Sequence, residues 1–263
     1  MLTIIKPLLF YFAYQLGFSG VFIVISRFVI PMDEATMTSL TMVASTIMMA
    51  WHLIHFGYIQ LSRDKYKEIS LPILGVSIAF VFSATYVLNL LIEQASIPNT
   101  MEDTFIDMSR NPFGLLSIGI MAPILEEFLF RGAIQGYLQS RCKRPWVAIV
   151  VSSLIFGVVH LNPAQIPFAF LLGMMFGWLY YRTGSLLPGI VGHALNNTIA
   201  GINMIIYGNA TLEEQIENPA EMWAWSVVAV VIFLLSAIWL NRNLNNKSLQ
   251  PTIDESHPSE ASE

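Results

Sequence analysis

Three stretches of this chain place acid–base groups inside otherwise apolar sequence. FGLLSIGIMAPILEEFLFRGAIQGYL carries Glu126, Glu127 and Arg131, FGVVHLNP carries His160, and LLPGIVGHALNNTIAG carries His193 and Asn197. An ionised group at mid-bilayer costs about 3 kcal/mol or more, so such residues are functional candidates by default. Glu127 and Arg131 are four apart, share a helix face and can pair. Glu126 points about 100° away from Glu127 and lacks that partner. His193 and Asn197 are likewise four apart on one face. The plainer reading is an ion network that holds helices together, with each His an interhelical hydrogen-bonding residue. Two His, an Asn and a Glu on three separate helices favour a site.

Peptide hydrolysis needs an activated water and stabilisation of the charge that develops on the carbonyl oxygen. A carboxylate in an apolar cavity suits a general base near neutral pH, and Glu126 could take that role. His160 could hold or polarise the same water, while His193 and Asn197 could donate hydrogen bonds to the oxyanion. Glu126, His160 and His193 could instead ligate a metal, since two imidazoles and a carboxylate form a common catalytic zinc set. The cofactor is therefore zinc or none, and the residues alone leave both routes open.

The elements that position these groups are membrane helices. Of 263 residues 55% are hydrophobic and 12% charged, with mean hydropathy +0.60, a composition of the membrane class. A net charge of -5 argues against a nucleic-acid partner. The lone Cys142 excludes an internal disulfide and a Cys-rich metal site. Lys6 is followed by an apolar run to Ile30 without a small-residue cleavage site, which suits a retained membrane helix.

Runs of about 20 apolar residues near 7–30, 37–61, 70–93, 113–140, 145–161, 165–182, 186–207 and 222–240 predict an all-α bundle of about eight transmembrane helices, the fifth of them short. The chain divides into N-terminal membrane helices (1–112), a core that carries the polar groups (113–207), a last membrane helix (208–241) and a polar tail expected to be disordered (242–263). With the N-terminus inside, ten Lys and Arg fall on inner segments and only Arg27 and Arg110 on outer ones, the pattern of a multi-pass cell-membrane protein with both termini cytoplasmic. Depth along the helices allows the polar groups to meet in one inward-facing cavity.

The three motifs resemble those of the CPBP family of intramembrane endopeptidases, which includes the type II CAAX prenyl endopeptidases and the bacterial abortive-infection and bacteriocin-processing or immunity proteins. EExxxR is matched by Glu126, Glu127 and Arg131, FxxxH by Phe156 and His160, and HxxxN by His193 and Asn197. GMMFGWLYYRTGSLLPGIVGH is also similar, and the likeness runs from about 113 to 205. It implies that Glu126 activates water beside His160, that His193 and Asn197 complete the site, and that Glu127 and Arg131 support it. The family is described both as metallopeptidases and as metal-free glutamate enzymes. The implied partners are the bilayer and a membrane-associated protein or peptide substrate. An alternative is a non-catalytic immunity or partner-binding protein on the same fold. A proton-linked transporter would predict paired half-helices or repeats, which the sequence lacks.

Other residues carry structural readings. Gly173 and Gly177 form a GxxxG for close helix packing. Pro123 predicts a kink just before the carboxylates. His52 and His55 read as structural. Gly17-Phe18-Ser19-Gly20 spells the rhomboid GxSG, but it precedes HxxxN in the chain, so small-residue helix packing is the better account.

Overall fold

A computed structural model describes residues 2–59 and 69–244. Arg63, Lys65 and Lys67 lie outside the described residues, as does the expected tail beyond residue 244. Within 242–244 the expected disorder gives way to the end of the last helix. There Arg182 donates to the carbonyls of Asn241 and Leu244, each at 2.7 Å, and so satisfies a helix C-terminus.

The described residues form an all-α membrane helical bundle without strands. Its helices are α1 (Leu2–Phe28), α2 (Glu34–His55), α3 (Leu71–Gln94), the amphipathic α4 (Glu102–Arg110), α5 (Pro112–Arg141), α6 (Pro145–Val158), α7 (Gln165–Thr183), α8 (Leu187–Tyr207), the single turn α9 (Leu212–Gln215) and α10 (Pro219–Asn243). Each of the eight expected apolar runs is a helix. Five of them, α1, α2, α3, α5 and α10, are long and apolar enough to cross a membrane. The fifth run is the short α6, as its length predicts. Arg182 at the end of α7, and His193, Asn196, Asn197 and Asn203 in α8, make those two helices more polar.

Local signals set the helix ends. Asp33 caps α2 by accepting from the Thr36 N–H at 2.9 Å and its hydroxyl at 2.7 Å. Those bonds, the hydroxyl first, hold the Asp33 carboxyl below its ordinary range. Proline opens α3, α5, α6, α8 and α10, where its missing N–H has no helical partner to lose.

Helices α5, α7 and α8 form the centre. α1 packs outside α2, α10 outside α3, and α6 beside α7. One apolar cluster joins α2, α5 and α6 through Met49, Leu53, Leu129, Phe130 and Phe156; another joins α3, α7 and α10 through Phe80, Phe176, Leu179 and Leu240. His52 is buried and bonded to the Tyr14 hydroxyl at 2.9 Å, tying α1 to α2 as a structural residue. The two glycines of the GxSG segment do not serve close helix packing, because a Cβ at Gly17 or Gly20 would meet open space.

The GxxxG of α7 does make a close contact, and it is a polar one. Arg131 and Gln135, four apart on α5, donate to the carbonyls of Gly173 at 3.3 Å and Gly177 at 2.8 Å. A Cβ at Gly177 would lie 2.7 Å from Gln135 Oε1, and one at Gly173 would lie 3.1 Å from an Arg131 nitrogen. Gly177→Leu should therefore destabilise the bundle by about 1–3 kcal/mol through overpacking. Gly17→Leu and Gly20→Leu should be neutral or mildly stabilising, since each removes a helix-interior glycine. Thermal unfolding in detergent compares the three, and equal losses would refute a tight α5–α7 contact.

Candidate active site

The site starts from a missing backbone donor. Pro123 has no N–H, so a carbonyl one turn earlier on α5 has no helical partner. That carbonyl is Gly119 in an α pattern and Ile118 in a π pattern. Ser117–Met121 is a π-helical turn, a feature frequent at functional sites. Both carbonyls find donors on α8: the Asn197 amide reaches Ile118 O at 3.2 Å, and the Thr198 hydroxyl reaches Gly119 O at 3.2 Å. Gly119 permits the approach, since a Cβ there would lie 2.8 Å from Thr198 Oγ1. The kink expected at Pro123 is thus a docking point for the HxxxN segment.

A second π-helical stretch, Glu127–Gln135, follows. The pairing expected of Glu127 and Arg131 is present at 3.2 Å, with both side chains only 1% exposed. Arg131 also sits 4.3 Å above the Phe156 ring and 5.4 Å from that of Phe176, so aromatic faces and the Gly173 carbonyl replace its water. Glu127 lies over Gly189, where a Cβ would come within 2.9 Å of its carboxylate.

His193 bridges the two glutamates. Its Nδ1 is 3.1 Å from Glu127 Oε1 and its Nε2 is 3.5 Å from Glu126 Oε2, and its ring stacks on Phe176 at 4.7 Å. A carboxylate only accepts, so Nδ1 carries a hydrogen toward Glu127. His160 is fixed differently. Its Nδ1 is 2.7 Å from the Phe156 carbonyl, so Nδ1 carries the hydrogen and Nε2 keeps a free lone pair.

Glu126, His160, His193 and Asn197 line one cavity of about 370 Å³. Glu126 is 16% exposed, whereas Glu127 behind it is sealed off. The four residues singled out in the sequence are therefore brought together, with Glu127 and Arg131 as their buried support. The remaining walls come from Tyr11 and Gln15 of α1, Thr38 and Met42 of α2, Met101, Thr104, Phe105 and Met108 of α4, and Phe168 and Leu172 of α7. Sequence reasoning missed Tyr11, the α4 residues, Phe176 and Thr198. Thr198 adjoins HxxxN and Phe176 lies in the stretch similar to the family, but nothing in one sequence marks Tyr11 or α4.

Among the described residues no group of three His, Cys, Asp or Glu side chains is placed to hold a metal ion. One expectation needs correction: the cavity does not lie toward the basic end of the helices, where an inward-facing site was expected. Its lining from α4, the start of α2 and the α6–α7 turn puts it toward the opposite end.

An all-α membrane bundle with a buried carboxylate–imidazole site defines the class of this protein. Residues 109–199 match the family model described as Type II CAAX prenyl endopeptidase Rce1-like, which bears out the resemblance read from the three motifs. The chain is 35% identical over 105 residues to the membrane-embedded CAAX protease MroQ of Staphylococcus aureus, covering 38% of this chain and 42% of that protein. It is 33% identical over 104 residues to YdiL of Bacillus subtilis, whose name provisionally calls it a membrane peptidase, covering 40% and 42% respectively. An uncharacterized 24.3 kDa protein of Escherichia coli is 29% identical over 139 residues, 51% of this chain and 64% of that one. The aligned region thus spans less than half of the first two relatives. No solved structure matches the chain.

Removing Arg131 should leave Glu127 buried without its partner. Arg131→Met is expected to cost about 3–5 kcal/mol, with much of it recovered in Arg131→Met/Glu127→Gln. Chemical denaturation in detergent closes this cycle; additive losses would show that the pair is not coupled.

Proposed function

We propose that this protein is an intramembrane endopeptidase that hydrolyses a peptide bond of a membrane-associated protein or peptide by a glutamate-activated water. The observation that carries the reading is the convergence of Glu126, His160, His193 and Asn197 on one partly apolar cavity. The matched family and the peptidase names of two relatives support it. The chain is read as a multi-pass protein of the cell membrane with its basic end cytoplasmic.

In this mechanism water sits between Glu126 and the free Nε2 of His160. His160 accepts one hydrogen bond and orients the oxygen lone pair toward the scissile carbonyl. Glu126 takes the other proton as the oxygen attacks the carbonyl carbon. Negative charge forms on the carbonyl oxygen, where the second amide hydrogen of Asn197 is available as a donor, with His193 beside it on the cavity wall. Glu126 then gives its proton to the leaving nitrogen, the C–N bond breaks, and acid and amine products separate. Glu127 holds His193 Nδ1–H, which fixes the orientation of the imidazole. Because the donors present do not form a metal-ligand set, no step is routed through a metal.

Glu126→Gln keeps shape and hydrogen bonding but cannot take a proton, so cleavage of a membrane-tethered reporter by reconstituted protein should vanish. Asn197→Ala should lower kcat by about 10²–10³-fold if its amide meets the oxyanion. Unchanged turnover of the Gln variant, with folding confirmed by thermal unfolding, would refute the hydrolase reading.

A further inference from the structure

We infer that the cavity receives its polypeptide from the non-cytoplasmic side of the membrane. This rests on the orientation proposed above but not on the hydrolytic chemistry.

The two ends of the bundle are distinct in hydrogen bonding and in charge. One end gathers the α1–α2 turn, α4, the α6–α7 turn and α9. Asn162, fully buried, donates to Asn99 at 2.8 Å and accepts from the Thr100 N–H at 3.1 Å. Asn111 donates to Thr36 at 2.8 Å, and the Leu212 N–H reaches the Glu93 carboxylate at 3.1 Å. This end carries Asp33, Glu34, Glu102, Asp103 and Asp107, against Arg27 and Arg110. The opposite end gathers the turns after α5 and α7 and the close of α10, joined by Arg182 with Asn241 and Leu244. It carries Arg141, Lys143, Arg144, Arg182 and Arg242. Lys and Arg in short loops mark the cytoplasmic side, so the acidic end faces away from the cytoplasm.

The cavity belongs to that acidic end. Thr38 at the start of α2, Met101 and Thr104 of α4, and Gln165 at the start of α7 form its partly exposed margin. Toward the basic end the way is blocked. Below Glu126, helix α5 is lined by Leu129, Phe130, Arg131, Ile134 and Gln135, all buried. Gly132 is closed over by Ile59 and Leu186, at 2.7 and 3.4 Å from a notional Cβ. Water and an extended peptide can therefore reach Glu126 past α4 but not past the Arg131–Gln135 column. The substrate class is a polypeptide segment exposed at, or inserted from, the non-cytoplasmic face.

Cys142 supplies an internal reporter, since it is the sole cysteine and sits in the turn after α5 at the basic end. In intact cells a membrane-impermeant maleimide should leave the wild-type protein unlabelled and should label it after permeabilisation. In a Cys142→Ser background, Asp103→Cys on the outer face of α4 and Thr104→Cys and Ala122→Cys in the cavity should all label in intact cells. Labelling of Cys142 in intact cells would reverse the orientation and overturn the inference. Labelling of Asp103→Cys while Thr104→Cys and Ala122→Cys react only after permeabilisation, or never, would overturn it as well. Modification by maleimide does not depend on peptide cleavage, so failure of the hydrolase reading and failure of this one give different results.

Discussion

The Glu127–Arg131 ion pair is the constraint on which the rest of the bundle depends. Two charges removed from water are costly unless other groups replace that water. Here the replacement comes from three other elements. The α7 backbone offers the Gly173 carbonyl, α6 and α7 offer the faces of Phe156 and Phe176, and α8 offers His193. Each contact requires a close helix approach, which is why Gly173 and Gly189 face the charged side chains without a Cβ. The pair thus dictates where α6, α7 and α8 must sit. It also puts His193 within reach of Glu126 on the cavity side.

A backbone defect performs the complementary task. Proline removes one helical bond, and the π-helical turn before it displaces another, so two carbonyls of α5 point at α8. In a bilayer such groups must be satisfied within the protein. Asn197 and Thr198 satisfy them, and in doing so fix the depth of α8 against α5. One hydrogen of the Asn197 amide is spent on the Ile118 carbonyl. The same residue therefore registers the helices and lines the cavity.

Much of this was legible in the sequence because the membrane makes polarity informative. Glu126, Glu127, Arg131, His160, His193 and Asn197 stand out against apolar surroundings, and helical spacing shows that Glu127 can reach Arg131. The eight long apolar helices followed from apolar run lengths, whereas α4 and α9 did not. What spacing could not show is which atoms converge. Whether His160 and His193 point their nitrogens at a common centre depends on a carbonyl of Phe156 and a carboxylate of Glu127, contacts between groups whose orientation no periodicity encodes. The GxxxG was read correctly as a packing device, but its partners, two polar side chains of α5, were not visible from α7 alone.

The end of the bundle on which the cavity lies was missed for a related reason. Distance along a helix from one terminus is a one-dimensional measure, and Glu126 lies near the middle of α5, where either end is about equally far. What decides access is which half of the helix is sealed. The sequence before Glu126 is the more apolar half, and the later half carries Arg131 and Gln135, whose bonds to the glycine carbonyls draw α7 tight against α5. The earlier half carries the π-helical turn and faces the amphipathic α4, whose apolar side closes the cavity without filling it. The polar ladder that supports the carboxylates is therefore also what shuts the basic end, so support and access are set by one set of contacts.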